Sequence, residues 1–165
     1  MAALTAGTPA PDFTLETMEG KKFSLQEALA RGPVVAAFFK ISCPVCQYVF
    51  PFLDRLHQAY GGKKVTVVGI SQDKKRDTNA FLEEYGITFP VLLDDPNAYP
   101  VSNAYGLTTV PSWFWIGQDG EIEISSAGWS KKEFDEMNRR MAEAGGTAPN
   151  PIFRAGDDVR DFRSG

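Results

Sequence analysis

Cys43 and Cys46 are the only cysteines in this chain of 165 residues, and they stand three apart in Phe38-Phe39-Lys40-Ile41-Ser42-Cys43-Pro44-Val45-Cys46. The apolar run before the pair reads as a buried strand and the run after it as a helix. A Cys at the first turn of a helix faces unpaired backbone N–H groups and the positive end of the helix dipole, which lowers a thiol pKa from about 8.5 into a range of roughly 3.5–7.5. Cys43 is therefore the candidate nucleophile. Cys46, one turn on, is spaced to attack a mixed disulfide on Cys43 and release the bound partner, closing an intramolecular disulfide. Such a pair accepts and passes on two electrons.

Other uses of two thiols fit less well. A structural disulfide closing so small a loop would restrict the unfolded chain little, because the loop term grows with loop length. A zinc site needs about four soft or imidazole ligands, and beyond the two thiols the chain offers one histidine, His57. No cofactor or metal is expected. Two unrelated buried thiols would leave the strand-then-helix setting unexplained.

The elements that must position the pair belong to one α/β domain, residues 1–144. The chain is 43% hydrophobic, enough for a core without disulfide staples. A net charge of −4 gives no general attraction to nucleic acid or to anionic membranes, and neither is expected as a partner. Met1-Ala2-Ala3-Leu4-Thr5-Ala6-Gly7 lacks the basic start and apolar core of a secretory signal, so the chain as given reads as cytoplasmic.

Phe13-Thr14-Leu15 and Lys22-Phe23-Ser24-Leu25 flank a turn with Gly20 and predict an N-terminal hairpin. Ser24 and Glu27 form a capping box for a short helix ending near Gly32. Pro33 to Phe39 and Val65 to Ile70 read as strands buried on both faces. The helix between them runs from Cys43 to about Tyr60, with Pro51 inside it and Gly61-Gly62 ending it. A helix opening at Asp77-Thr78 ends at Gly86. Pro90 to Leu93 predicts a short strand, and Tyr99 to Tyr105 a short helix. Val110 to Ile116 and Glu121 to Ser125 pair across Gly117-Gln118-Asp119-Gly120. A last helix runs from Ser130, boxed by Glu133, to about Ala144. The alternation implies a mixed central sheet flanked by helices.

A strand-helix-strand unit with Cys-x-x-Cys at its helix start, Pro51 five residues after Cys46, and Thr109-Val110-Pro111 opening a later strand resembles the thioredoxin superfamily. Gly7-Thr8-Pro9-Ala10-Pro11-Asp12-Phe13 and Ile116-Gly117-Gln118-Asp119-Gly120 resemble, within it, the branch shared by TlpA/ResA-like thiol-disulfide oxidoreductases and peroxiredoxins, the AhpC/TSA group. The resemblance covers roughly residues 6–143. It implies a thioredoxin fold with an added N-terminal β-hairpin and dithiol/disulfide exchange in redox homeostasis. It also implies a cis bond before Pro111, facing the cysteines, with the Val110 backbone pairing to an extended substrate. The partners implied are a protein or small-molecule thiol or disulfide and an upstream donor such as a thioredoxin-type reductant.

The chain departs from these relatives at informative positions. A peroxiredoxin-like antioxidant peroxidase would place Pro and Thr where Ala36 and Lys40 stand, and its usual Arg-bearing strand here opens with Val110-Pro111. Ala37 replaces the buried Asp of thioredoxin, and Val49 the Glu of ResA-like proteins, so both proton-handling carboxylates are missing. Lys40, three before Cys43, could support its thiolate, as could Pro44 at the helix start. Pro44-Val45 and Thr109-Val110-Pro111 also resemble glutaredoxin. A non-catalytic peptide-binding module remains a further alternative.

Trp113 and Trp115 read as core, His57 as a surface or packing residue, and Asp94-Asp95 and Lys74-Lys75-Arg76 as solvated charges. Residues 145–165 begin as a Pro/Gly-rich linker and continue as a tail. Its Ala155-Gly156 to Asp161-Phe162 repeats the spacing of Ala6-Gly7 to Asp12-Phe13. The tail is either mobile or docks as the N-terminal segment does.

Overall fold

The computed structural model describes residues 3–61 and 64–165, so Met1, Ala2, Gly62 and Lys63 lie outside it. A seven-stranded sheet runs in the order β2 (Lys22–Ser24), β1 (Thr14–Thr17), β5 (Val91–Leu93), β4 (Thr66–Ser71), β3 (Val34–Phe39), β6 (Ser112–Ile116) and β7 (Ile122–Ala127). β3, β4 and β5 are parallel neighbours and every other pairing is antiparallel. This is the mixed sheet expected, with the N-terminal hairpin forming one edge of it.

β3 explains its own central place. All six of its residues are buried, because successive side chains enter opposite faces and both faces are covered. Val35, Ala37 and Phe39 meet α2 (Pro44–Tyr60) and α5 (Lys131–Ala144). Val34, Ala36 and Phe38 meet Leu25, Ala28 and Leu29 around α1 (Leu25–Leu29), together with Phe13 and Tyr105. Trp113 and Trp115 lie in the first of these cores, as expected. No helix among the described residues is long and apolar enough to cross a membrane.

Capping chemistry sets most of the helix starts. Ser24 Oγ accepts from the Glu27 amide and Ser130 Oγ from the Glu133 amide. α3 (Lys75–Tyr85) departs from the sequence reading. It begins two residues before Asp77, with Lys74 at the cap and no side-chain bond there. Asp94 also departs. It is 1% exposed and accepts from the Val101 and Ser102 amides and the Ser102 hydroxyl, so it anchors α4 (Pro100–Ala104) rather than facing water. Asp54 on α2 does the same for the loop before β5, accepting from the Thr88 and Phe89 amides. Neither role shows in a one-dimensional pattern, because the donors come from other segments.

Past α5 the chain crosses back over α2. Ile152 is buried, and Phe153 packs on Phe52, Trp129 and Phe134. Arg55 donates to both carboxylate oxygens of Asp157 through its two terminal nitrogens, Nη1 and Nη2, at 2.7 and 3.1 Å. The segment ends in β9 (Phe162–Arg163), paired with β8 (Trp129–Ser130), two short strands that the sequence reading did not include. The spacing echo is only partly structural. Gly7 and Gly156 share a positive φ, near 92° and 90°, but Phe13 is buried and Phe162 exposed.

Candidate active site

The site lies where β3 and β4 end, at the carboxyl edge of the parallel strands. β3 delivers Lys40, a short turn follows, and Cys43 caps α2 with extended backbone, φ −85° and ψ 115°. Pro44 takes the first helical position, where its fixed φ suits the turn and its missing N–H costs nothing. The Cys46 amide then points back and donates to Cys43 Sγ at 3.3 Å. A sulfur in the role usually filled by a Ser or Asp cap oxygen sits where the helix favours negative charge.

Cys43 is partly exposed, Cys46 fully buried, and both are reduced. Burial pushes the Cys46 thiol far above its ordinary range, and the nearby Cys43 and the Asp73 charge push the same way; a backbone contact from Lys40 opposes them. The two thiols are therefore unlike: one faces the surface, the other waits as a neutral S–H beneath it. Ala37 and Val49, where relatives of the resembled groups carry carboxylates, are fully buried in the same apolar cluster as Cys46.

On the far side of Cys43 stands the loop before β6. The Val110–Pro111 bond is cis, and Cys43 Sγ donates to the Val110 carbonyl at 3.3 Å. Ser112 Oγ holds the loop from within by donating to the Thr109 carbonyl. The structure thus brings Cys43, Cys46, Val110 and Pro111 together. Lys40 turns elsewhere: its ammonium lies 5.3 Å above the Tyr99 ring, a cation–π contact, and not in hydrogen bond with the sulfur. Lys40, Gln72, Tyr99, Asn103 and Thr108 line a cleft of about 350 Å³ that reaches Val110. His57 lies late on α2 against Phe89, as a packing residue.

Asp73 was missed by sequence reasoning. Its carboxylate accepts from the Ile41 amide at 2.8 Å, and its own amide donates to Ser71 Oγ, so it holds the turn that carries Cys43. The available signal was an acidic residue just past the end of an apolar parallel strand, where sites in such sheets gather.

Comparison with known proteins places this geometry. The AhpC/TSA family matches residues 6–125. The thiol-disulfide oxidoreductase ResA of Geobacillus thermodenitrificans (strain NG80-2) is 30% identical over 132 residues, spanning 79% of this chain and 74% of that protein. A crystal structure of a putative thiol:disulfide interchange protein DsbE from Chlorobium tepidum superposes with a TM-score of 0.75 at 25% identity, covering 86% of this chain and 99% of the other. The solution structure of a putative protein disulfide isomerase from Bacteroides thetaiotaomicron gives a TM-score of 0.79 at 23% identity, over 88% and 95% of the two chains, and shares the thioredoxin-like fold. With a family match running from before the N-terminal hairpin into β7, and a relative aligned over most of both chains, the protein is a member of the AhpC/TSA family.

Proposed function

We propose that the protein is a thiol-disulfide oxidoreductase, an enzyme that passes two electrons between the Cys43–Cys46 pair and a disulfide or dithiol partner. The observation that carries this is the asymmetric pair itself: an accessible Cys43 Sγ at a helix start, 3.3 Å from both the Cys46 amide and the Val110 carbonyl, over a buried Cys46. ResA relatives bearing that activity in their names support it.

In the reducing direction, Cys43 thiolate attacks one sulfur of the partner disulfide. The S–S bond breaks, and the departing thiolate takes a proton from water. The Cys46 thiol then loses its proton and attacks Cys43 Sγ, the mixed disulfide breaks, and the second partner thiolate leaves and is protonated. The partner gains two electrons and the pair becomes a disulfide. Lys40 and Pro44 act at one remove, Lys40 through its charge at the rim and Pro44 by starting the helix. The Val110-Pro111 loop presents the partner's chain to Cys43.

The partners proposed are protein or small-molecule disulfides, with a thioredoxin-type reductant as upstream donor, in thiol redox homeostasis. The compartment is read from the potential. A value near about −270 mV suits a cytoplasmic reductant and one near about −120 mV an oxidant. A dedicated peroxidase is not favoured: Ala36 faces the opposite core from Cys46, and β6 follows Val110-Pro111 with no arginine. The test is Cys46→Ser. It should accumulate a partner covalently held on Cys43, visible as a mass increase abolished by reductant, while Cys43→Ser with intact Cys46 should trap nothing.

A further inference from the structure

The segment past α5 does not stop at packing on α2; it reaches the site. Tyr48 Oη donates to the Asp158 carbonyl and accepts from the Arg160 amide, at 2.6 and 2.9 Å. The Trp129 indole N–H donates to the Arg160 carbonyl, and the Lys131 amide to the Asp161 carbonyl. Arg163 lays its guanidinium 4.9 Å over the Tyr48 ring, and β9 pairs with β8. Gly128 makes the approach possible: with φ near +71°, any Cβ there would lie 2.3 Å from the Arg163 carbonyl oxygen and 2.7 Å from the Gly165 nitrogen. Beyond Arg163 the segment arrives at the carbonyl that Cys43 itself touches. A Cβ at Gly165 would fall 2.6 Å from the Val110 oxygen and 3.0 Å from Thr109 Oγ1.

We propose that residues 161–165 are a strap over the Val110 flank of Cys43 that admits small disulfides and holds back polypeptide disulfides until it lifts. The proposal rests on the thiol–disulfide reading of the pair. A cysteine within a polypeptide brings backbone to both sides of its sulfur, so both flanks of Cys43 must be clear for the three sulfurs to line up. The cleft lined by Lys40, Tyr99 and Val110 offers one approach to the site. The other is closed by Gly165, with no room even for a methyl group. A small disulfide needs only the open approach. The strap is firmly pinned through Arg163, whereas Ser164 and Gly165 make no backbone hydrogen bond among the described residues and are held by contact, so residues 164–165 are the part that lifts.

The test compares two probes, insulin as polypeptide disulfide and bis(2-hydroxyethyl) disulfide as small one, with the reduced wild-type chain, Gly165→Val and Tyr48→Phe. Gly165→Val forces the strap off the Val110 carbonyl, and Tyr48→Phe removes the two bonds at Asp158 and Arg160 that anchor the chain leading into it. If the strap covers the flank about nine-tenths of the time, lifting it raises the insulin rate about tenfold. The rate with the small disulfide should stay within about twofold in both variants. An unchanged insulin rate, equal rises with both probes, or a slower insulin reaction would each overturn the strap. A wild-type chain that reacts with neither probe would instead overturn the exchange reading, and this proposal with it.

Discussion

Cys46 and Cys43 differ by one helical turn in sequence and by almost everything in environment, and that difference is what a dithiol catalyst needs. Burial raises the Cys46 thiol well above its ordinary value, so between pH 7 and 8 it stays protonated until a neighbouring sulfur offers it a bond. Iodoacetamide at pH 7.5 should therefore label Cys43 in the folded, reduced protein and leave Cys46 unmodified, with both labelled once the chain is unfolded. Peptide mass mapping reads this directly, and equal labelling of the two in the folded state would contradict it. Asp73 adds to the same effect while holding the Ile41 amide. Asp73→Asn removes that charge and keeps a bond acceptor, so the pH at which folded Cys46 becomes reactive should fall. The cysteines were legible in the sequence because their chemistry is written in their own spacing, and Val110-Pro111 through its resemblance to the family's pattern. Asp73 was not, because its partner Ile41 lies 32 positions away.

At the scale of elements, the strands and helices that hold the pair are those whose patterns are local. β3 and β4 show as unbroken apolar runs, and α1 and α5 announce themselves by Ser caps and Glu three residues on. α2 places Leu53 in the centre of the core with no exposure. Leu53→Ala should cost about 2–5 kcal/mol in urea denaturation, since the surrounding side chains close only part of the cavity. Asp54, one position on, is a different test. It is 3% exposed and accepts from Thr88 and Phe89, tying α2 to the entry of β5. Asp54→Ala leaves those donors unpaired and should cost about 1–3 kcal/mol. Buried acids such as Asp54 and Asp94 escape a sequence reading because polarity alone predicts exposure; only the amides that converge on them from other segments make burial tolerable. β8 and β9 escaped for the same reason: two residues each, they exist through their pairing with each other.

Across the whole molecule, the segment from 145 onward ties α2, β8 and the site loop together. We propose the division into a domain of residues 1–144 and an appended segment 145–165, on the composition change at Gly145, although Ile152 and Phe153 complete the domain's own aromatic cluster. The Arg55–Asp157 pair is the electrostatic pin. The Arg55 guanidinium, helped by the Arg154 amide, holds the Asp157 carboxyl down at about 2. Because that value is depressed on folding, the pin is at full strength above the ordinary Asp value of about 3.9 and weakens as pH falls from there through about 2. Trp129, bonded to the Arg160 carbonyl, should report the loosening as a fluorescence change in that window, absent in Asp157→Asn. All of this surrounds one claim, that Cys43 and Cys46 form a reversible two-electron couple. The direct measurement equilibrates the protein in defined thiol–disulfide buffers, traps free thiols and reads the mass. The account predicts a single transition in which both thiols are lost together to an intramolecular disulfide and recovered together. A pair that never closes, or a Cys43 that titrates without Cys46, would contradict it.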